Sequence, residues 1–141
     1  MYSEIEKSIV EALKREFQND PILKQDMIMP AIILKNPKEE VPPHLPAIRV
    51  VFTDATVKEP ITLDSYSYET TLKYSVFFFF KTFFFHVGNQ NFDAYTYLRR
   101  IINTLKNLKT PKGFLKINSI SLLGGNDFFA YAIECEVESI I

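Results

Sequence analysis

Two histidines, one cysteine, a row of three glutamates and a pair of adjacent glycines are the residues of this chain whose types could do chemistry. His44 and His86 could move protons or hold a metal, because imidazole titrates near neutral pH and is a good ligand. No H-x-x-x-H spacing puts them on one helix face, so they read as surface or strand-end residues. Cys135 could attack a substrate as a thiolate, but it falls on the apolar positions of the last strand, where a thiol acts as a small buried hydrophobe. Glu134, Glu136 and Glu138 alternate, which puts three carboxylates on one strand face. Such a row could mimic a carboxylate site, and it is also what a solvated strand face looks like. Gly124 and Gly125 in "LLGGNDF" join two strands and open no helix, so the segment reads as a hairpin turn and not as a phosphate loop. A hydrolase or isomerase built on His86 or Glu134 is therefore the weakest reading. The expectation is no catalytic residue, no bound metal, no cofactor and no enzyme activity.

The elements that would position these residues follow from periodicity. Ile5, Ile9, Leu13 and Phe17, with Val10 beside them, make one apolar stripe of an opening helix, and Ser3 and Glu6 supply a capping box at its start. "NDP" at 19–21 stops it. "MIMPAIIL" at 27–34 reads as a strand, and Pro30 argues for a sheet edge. The proline-rich loop 36–46 reads as an extended arm, and "AIRVVFT" as a short strand. "ATVKEPITLDS" is either a strand with a turn or an excursion at the sheet edge. A long strand begins at Tyr66. Its even face reads as apolar throughout, and its odd positions start polar and end with Phe77 and Phe79. "HVGNQNFD" is a turn in which Asn91 or a neighbour caps a second helix over about 92–108. Ala94, Leu98, Ile101, Ile102, Leu105 and Leu108 form its buried stripe, and a hairpin across Gly124 to Asp127 closes the chain. The order α-β-β-(β)-β-α-β-β implies an α+β fold, with a mostly antiparallel curved sheet and two helices packed on one face.

Bulk properties agree with a single domain over 1–141. The chain has 141 residues, 47% of them hydrophobic, and a formal net charge of -1, which gives no general attraction to nucleic acid or anionic lipid. One cysteine excludes an internal disulfide and a cysteine zinc cluster. The start "MYSEIEKSIVEALKREF" is charged and amphipathic, unlike a secretion signal. The apolar run 76–80 ends at Lys81, far short of the roughly 20 residues that a membrane helix needs.

"TTLKYSVFFFFKTFFFH" holds seven of the 13 phenylalanines. Phe77, Phe79, Phe83 and Phe85 cannot all lie under the helices that cover Phe78 and Phe80. An exposed cluster of this kind is a sticky patch that monomers avoid. The expected second cover is another subunit, with "HLPAIRVVF" folding over it within one chain as the competing reading. Charge is also segregated. Arg99, Arg100, Lys106, Lys109, Lys112 and Lys116 come with no acid among them, and the last strand carries the glutamate row. The bland reading is two solvated faces. The sharper one is that Arg99, Arg100 and Lys106 contact Glu134, Glu136 and Glu138 of the next subunit, or that the glutamates line a lumen that repels DNA. The basic run lacks the aromatic interleaving of a nucleic-acid patch.

Several stretches together resemble the tail-terminator (neck) proteins of long-tailed bacteriophages, particularly the family typified by a minor tail protein of Mu-like phages. They are the opening helix "YSEIEKSIVEALKREF", the strand "LPAIRVVF" behind a proline, the long strand "YETTLKYSVFFFFKT", the helix "AYTYLRRIINTLKNL" and the last strand "YAIECEVE". The resemblance covers nearly the whole chain and rests on element order. It implies a homo-oligomeric ring, commonly a hexamer, that caps the tail tube of a phage or prophage particle, ends its polymerisation and joins it to head-completion or connector proteins. It further implies a place in the virion neck after assembly in the host bacterial cytoplasm, with DNA passing through without specific binding, no membrane and no catalytic residues. The competing class is a small α+β ligand-binding domain whose aromatic pocket is lined by Tyr66, Tyr68, Tyr74, Phe78 and Phe80.

Overall fold

Helix α1 (Tyr2–Glu16) buries Ile5, Ile9, Val10 and Leu13, and just beyond it Asp20 holds the turn that follows. The Asp20 carboxylate accepts from the Ile22 and Leu23 amides at 3.0 and 2.8 Å. The computed structural model describes residues 2–31, 42, 44–60, 68–125 and 127–140. Tyr66 and most of the proline-rich loop 36–46 lie outside the described residues, as do the side chains of Ser3 and Tyr68.

Five strands form the main sheet in the order β1 (Ile28–Ala31), β2 (Ala47–Pro60), β3 (Tyr68–Phe80), β9 (Phe129–Ile140), β8 (Lys116–Gly124). β1 runs parallel to β2, and every other pair is antiparallel. The fold is thus α+β, with a mixed but mostly antiparallel sheet. β1 is an edge strand, as Pro30 requires, since a proline has no N–H to give to a ladder. "ATVKEP" is no separate excursion: it continues β2, which carries an irregularity between Phe52 and Asp54 and stays paired with β3 through Thr56 and Val57.

The even positions of β3 face the helices. Leu72, Tyr74, Val76, Phe78 and Phe80 join Ile48 and Val50 of β2 and Ile133, Cys135 and Val137 of β9 in the principal core, closed by α1 and by Ala94, Tyr97, Ile101 and Leu105 of α2 (Ala94–Leu105). Both helices therefore lie on one face.

Between β3 and α2 the chain makes a small hairpin, β4 (Phe84–Val87) and β5 (Gln90–Asp93), turning at Gly88, whose φ of 59° suits glycine. Because β5 runs through Asn91, the helix cap falls on Asp93. Its carboxylate accepts from the Tyr95 and Thr96 amides at 2.9 and 3.4 Å, and α2 starts at Ala94 instead of Phe92. A second short hairpin, β6 (Lys109–Thr110) and β7 (Gly113–Phe114), leads into β8.

Candidate assembly surfaces

The residues with chemical potential are dispersed. His44 is exposed just before β2, and His86 is exposed on β4 in contact with the Asn91 side chain. Burial, with Glu134 nearby, pushes the Cys135 thiol up to about 12, which leaves it protonated and unreactive at neutral pH. Among the described residues, no three His, Cys, Asp or Glu side chains come together as a metal site. A Cβ on Gly125 would run into the Phe128 ring, so the glycine is there to let the β8–β9 turn pack on that ring.

Phe77 and Phe79 sit on the face opposite the helices, yet the chain covers them itself. They pack with Val51, Phe128, Ala130 and Ala132, and Ala31, Leu45 and Leu123 close the margin. Phe79 is fully buried, with its ring tilted against that of Phe128 at 6.1 Å. The expectation that a second subunit must cover these two rings is corrected. Part of the cover is the competing segment around Leu45, and part is the β8–β9 turn, whose role has no periodic signal. Phe83 turns inward against Phe80, Phe129 and Tyr95. Phe85 stacks on Phe92 at 5.0 Å and stays about one-third exposed. The aromatic most open to solvent in this stretch is Phe84, at 63%, beside the half-exposed Tyr95.

Arg100 is not free for a neighbour. Its guanidinium lies 4.3 Å above the Phe17 ring centroid and donates to Asp20 Oδ1 at 3.1 Å and to the Glu16 carbonyl at 3.1 Å. The Tyr97 hydroxyl donates to Asp20 Oδ2 at 2.6 Å. Burial alone would raise the Asp20 carboxyl, but the hydrogen bonds from Tyr97, Leu23, Ile22 and Arg100 outweigh it and hold it below its ordinary value. Burial and the adjacent Asp20 in turn raise the Tyr97 phenol. This clasp joins α1 to α2. Arg99 and Lys106 remain exposed.

The glutamate row likewise has partners in its own chain. Ser75 Oγ donates to Glu134 at 2.6 Å, and Lys116 Nζ lies 4.0 Å from Glu136. Glu138 is exposed. The row is interleaved with Lys73 and Lys116, so that face is of mixed sign.

Two open hollows flank β8. One, of about 410 Å³, is lined by Ile102, Lys106, Asn107, Leu115, Lys116 and Ile117. The other, of about 320 Å³, is lined by Phe114, Lys116, Glu136 and Glu138. Neither matches the aromatic pocket of the ligand-binding reading. Tyr74, Phe78 and Phe80 are fully buried and packed ring to ring, with Phe78 5.1 Å from Phe80 and 6.4 Å from Tyr97, and Phe52 5.4 Å from Tyr74.

These features define an α+β domain in which the described residues bring no group of metal-ligating side chains together. The fold is similar to that of a chain in a solved structure of the virion of a native gene transfer agent (GTA) particle, with a TM-score of 0.52 at 9% identity, covering 97% of this chain and 98% of that one. At that identity the likeness is one of fold. No protein-family model matches the sequence, and no curated protein matches it.

Proposed function

We propose that this chain is a structural protein of a phage-like virion, and that it forms the ring that ends the tail tube. The observation that carries the reading is the fold likeness to a chain of a GTA virion, which spans both chains nearly end to end. The element order of the tail-terminator proteins leads to the same class. In this reading the protein is no enzyme. It assembles as a homo-oligomeric ring, commonly a hexamer, meets the tube protein on one side and a head-completion or connector protein on the other, and lets DNA pass unheld. Assembly takes place in the host cytoplasm, and the finished ring belongs to the virion neck.

Native mass measurement and electron microscopy of the purified protein test the ring. A closed ring is expected, and a monomer at tens of micromolar would contradict it. Added to its own polymerising tube protein, the chain should shorten the tubes and appear at one end. Tubes that lengthen unchanged would remove the terminator role and leave only a virion component. Metal analysis of protein purified without chelator should find no stoichiometric ion at His44 or His86.

A further inference from the structure

The two helices leave one strand of the main sheet uncovered. α1 lies over β1 and β2, and α2 reaches β3 through Tyr97, whose ring is 6.4 Å from Phe78. Edge strand β8 has no such cover. Ile120 and Leu122 pair with Ile133 and Tyr131 and so share the helix side of the sheet, yet they are 42% and 49% exposed. β8 contains no proline, and no charged residue occurs from Ile117 to Asn126, so nothing there blunts the edge or repels a partner.

The flank of α2 that faces this strip is apolar too. Arg100 marks the flank held by α1. At about 100° per residue, Tyr95, Leu98, Ile102 and Lys106 fall on the other flank. Contacts at both ends place that flank beside β8. At one end Ile102 and Lys106 share the hollow of about 410 Å³ with Ile117. At the other, Tyr95 stacks on Phe83, which packs against Phe129, the residue opposite Gly124 in the register. A groove thus runs between α2 and β8. Its walls match in length: Tyr95 to Lys106 spans about 17 Å at ~1.5 Å per helical residue, and Ile117 to Leu122 about 17 Å at ~3.3 Å per strand residue. Arg99 and Lys106 are exposed beside it, and no acid lines the hollow. Glu134 and Glu136 bond to Ser75 and Lys116 on the outer face of the sheet, away from the helices. The described residues that flank segments 32–41 and 61–67 lie elsewhere: Ala31 and Leu45 join the outer-face cluster, and Pro60 pairs with Tyr68 where β2 meets β3.

We propose that the groove between α2 and β8 seats an amphipathic helix of a different protein, about three turns long. Its apolar stripe lies on Ile117, Ile120 and Leu122, and its carboxylates meet Arg99 and Lys106. A second copy has no described helix to offer, because α1 and α2 bury their apolar stripes in their own core. A strand added to the β8 edge would leave the hollow and Lys106 unused, so the α2 wall favours a helix. The groove belongs to one chain and stands without the ring. Within the ring reading it is the surface that receives the tube or head-completion protein.

The probe is a fluorescein-labelled, side-chain-stapled helical peptide of about 14 residues, with leucines at i, i+3, i+4 and i+7 and glutamates along one flank. Its control keeps the leucines and carries lysines instead. Anisotropy titration should show saturable binding of the glutamate peptide, at least about tenfold weaker binding of the lysine peptide, and weakening as salt rises from about 0.01 to about 1 M. Leu122→Asp should weaken binding at least about tenfold, with unchanged circular dichroism and Tm. Should that variant lose its fold, Lys106→Glu, at an exposed helix end, carries the test. Combined with Arg99→Glu, it should reverse the preference between the two peptides. No saturation below about 1 mM, equal binding of both peptides, or binding indifferent to Leu122→Asp and to Lys106→Glu would overturn the groove. Native mass supplies a further arm: assembly of the wild type that Leu122→Asp abolishes would give the face to a second copy and overturn it as well. A ring that takes up no peptide removes the groove and spares the ring, whereas a monomer that binds the peptide keeps the groove and removes the ring.

Discussion

The two faces of β3 bury the same kind of side chain in different ways. On the helix face, Phe78 and Phe80 lie in a thick core under α1 and α2. On the other face, Phe77 and Phe79 lie under a thin cover in which Leu45 and Phe128 arrive from opposite parts of the chain. Exclusion from water is nearly equal, since Phe78 and Phe79 are both fully buried. The depth of packing behind them is not. A contiguous helix layer has little freedom to collapse into a hole, while a cover of a turn and a loop has more. Burial alone therefore does not rank the two faces for stability.

Five experiments break or sharpen that comparison. Phe78→Ala should have the largest effect, a loss of ~3 to 5 kcal/mol, because it empties the centre of the thick core. That is a large share of the ~5 to 15 kcal/mol typical of a domain, and urea unfolding would show it as a lowered midpoint. Phe79→Ala should cost less, near ~3 kcal/mol, because the Phe128 turn can settle inward. Equal losses at the two positions would mean that the thin cover is as rigid as the helices.

The third experiment concerns the clasp that holds the thick side together. Tyr97→Phe should cost about 1 to 2 kcal/mol, since it takes a hydrogen bond from a carboxylate that is only 5% exposed. The same carboxylate predicts a pH dependence. Asp20 is held below its ordinary value in the fold, so its contribution is complete above the unfolded value of about 4 and is lost as pH falls through the lower folded value. Urea midpoints measured from neutral pH downward should fall more steeply in wild type than in Asp20→Asn. Parallel curves would show that Asp20 contributes nothing to acid sensitivity. The smallest effect belongs to the exposed ring. Phe84→Ser should change stability by no more than about 0.5 kcal/mol, and a larger loss would place Phe84 in the core of the fold.

Periodicity made much of the helix face legible: the stripe of α1, the even positions of β3 from Leu72 on and the apolar face of β9 take the places their spacing implies, whereas α2 ends at Leu105, buries Tyr97, which its expected stripe left out, and leaves Leu98 and Ile102 only partly buried. It could not show the thin cover. Leu45 and Phe128 belong to no periodic segment, and their position depends on the turn that Gly125 permits. It also miscast Arg100 as a surface cation. Its partner Asp20 lies 80 residues away, beyond any local pattern, and only the packing of α1 on α2 brings them together. The mixed sign of the outer face was hidden for a related reason. Lys73 and Lys116 come from the strands on either side of the glutamates, and only the register aligns them. Sequence spacing showed the glutamates of β9 as a single-sign row because it shows one strand at a time.

The bare edge of β8 also bears on how the protein must be made. A newly folded chain carries that edge before any partner has arrived, and every other new chain carries the same one. Folding and disordered strand-to-strand stacking then draw on one pool of new chains, and only the stacking accelerates with concentration. Yield is thereby decided by a race. Slow synthesis should give soluble material. Rapid overproduction of the chain alone should give inclusion bodies, and an added charge within 117–124 should slow their formation while sparing the fold.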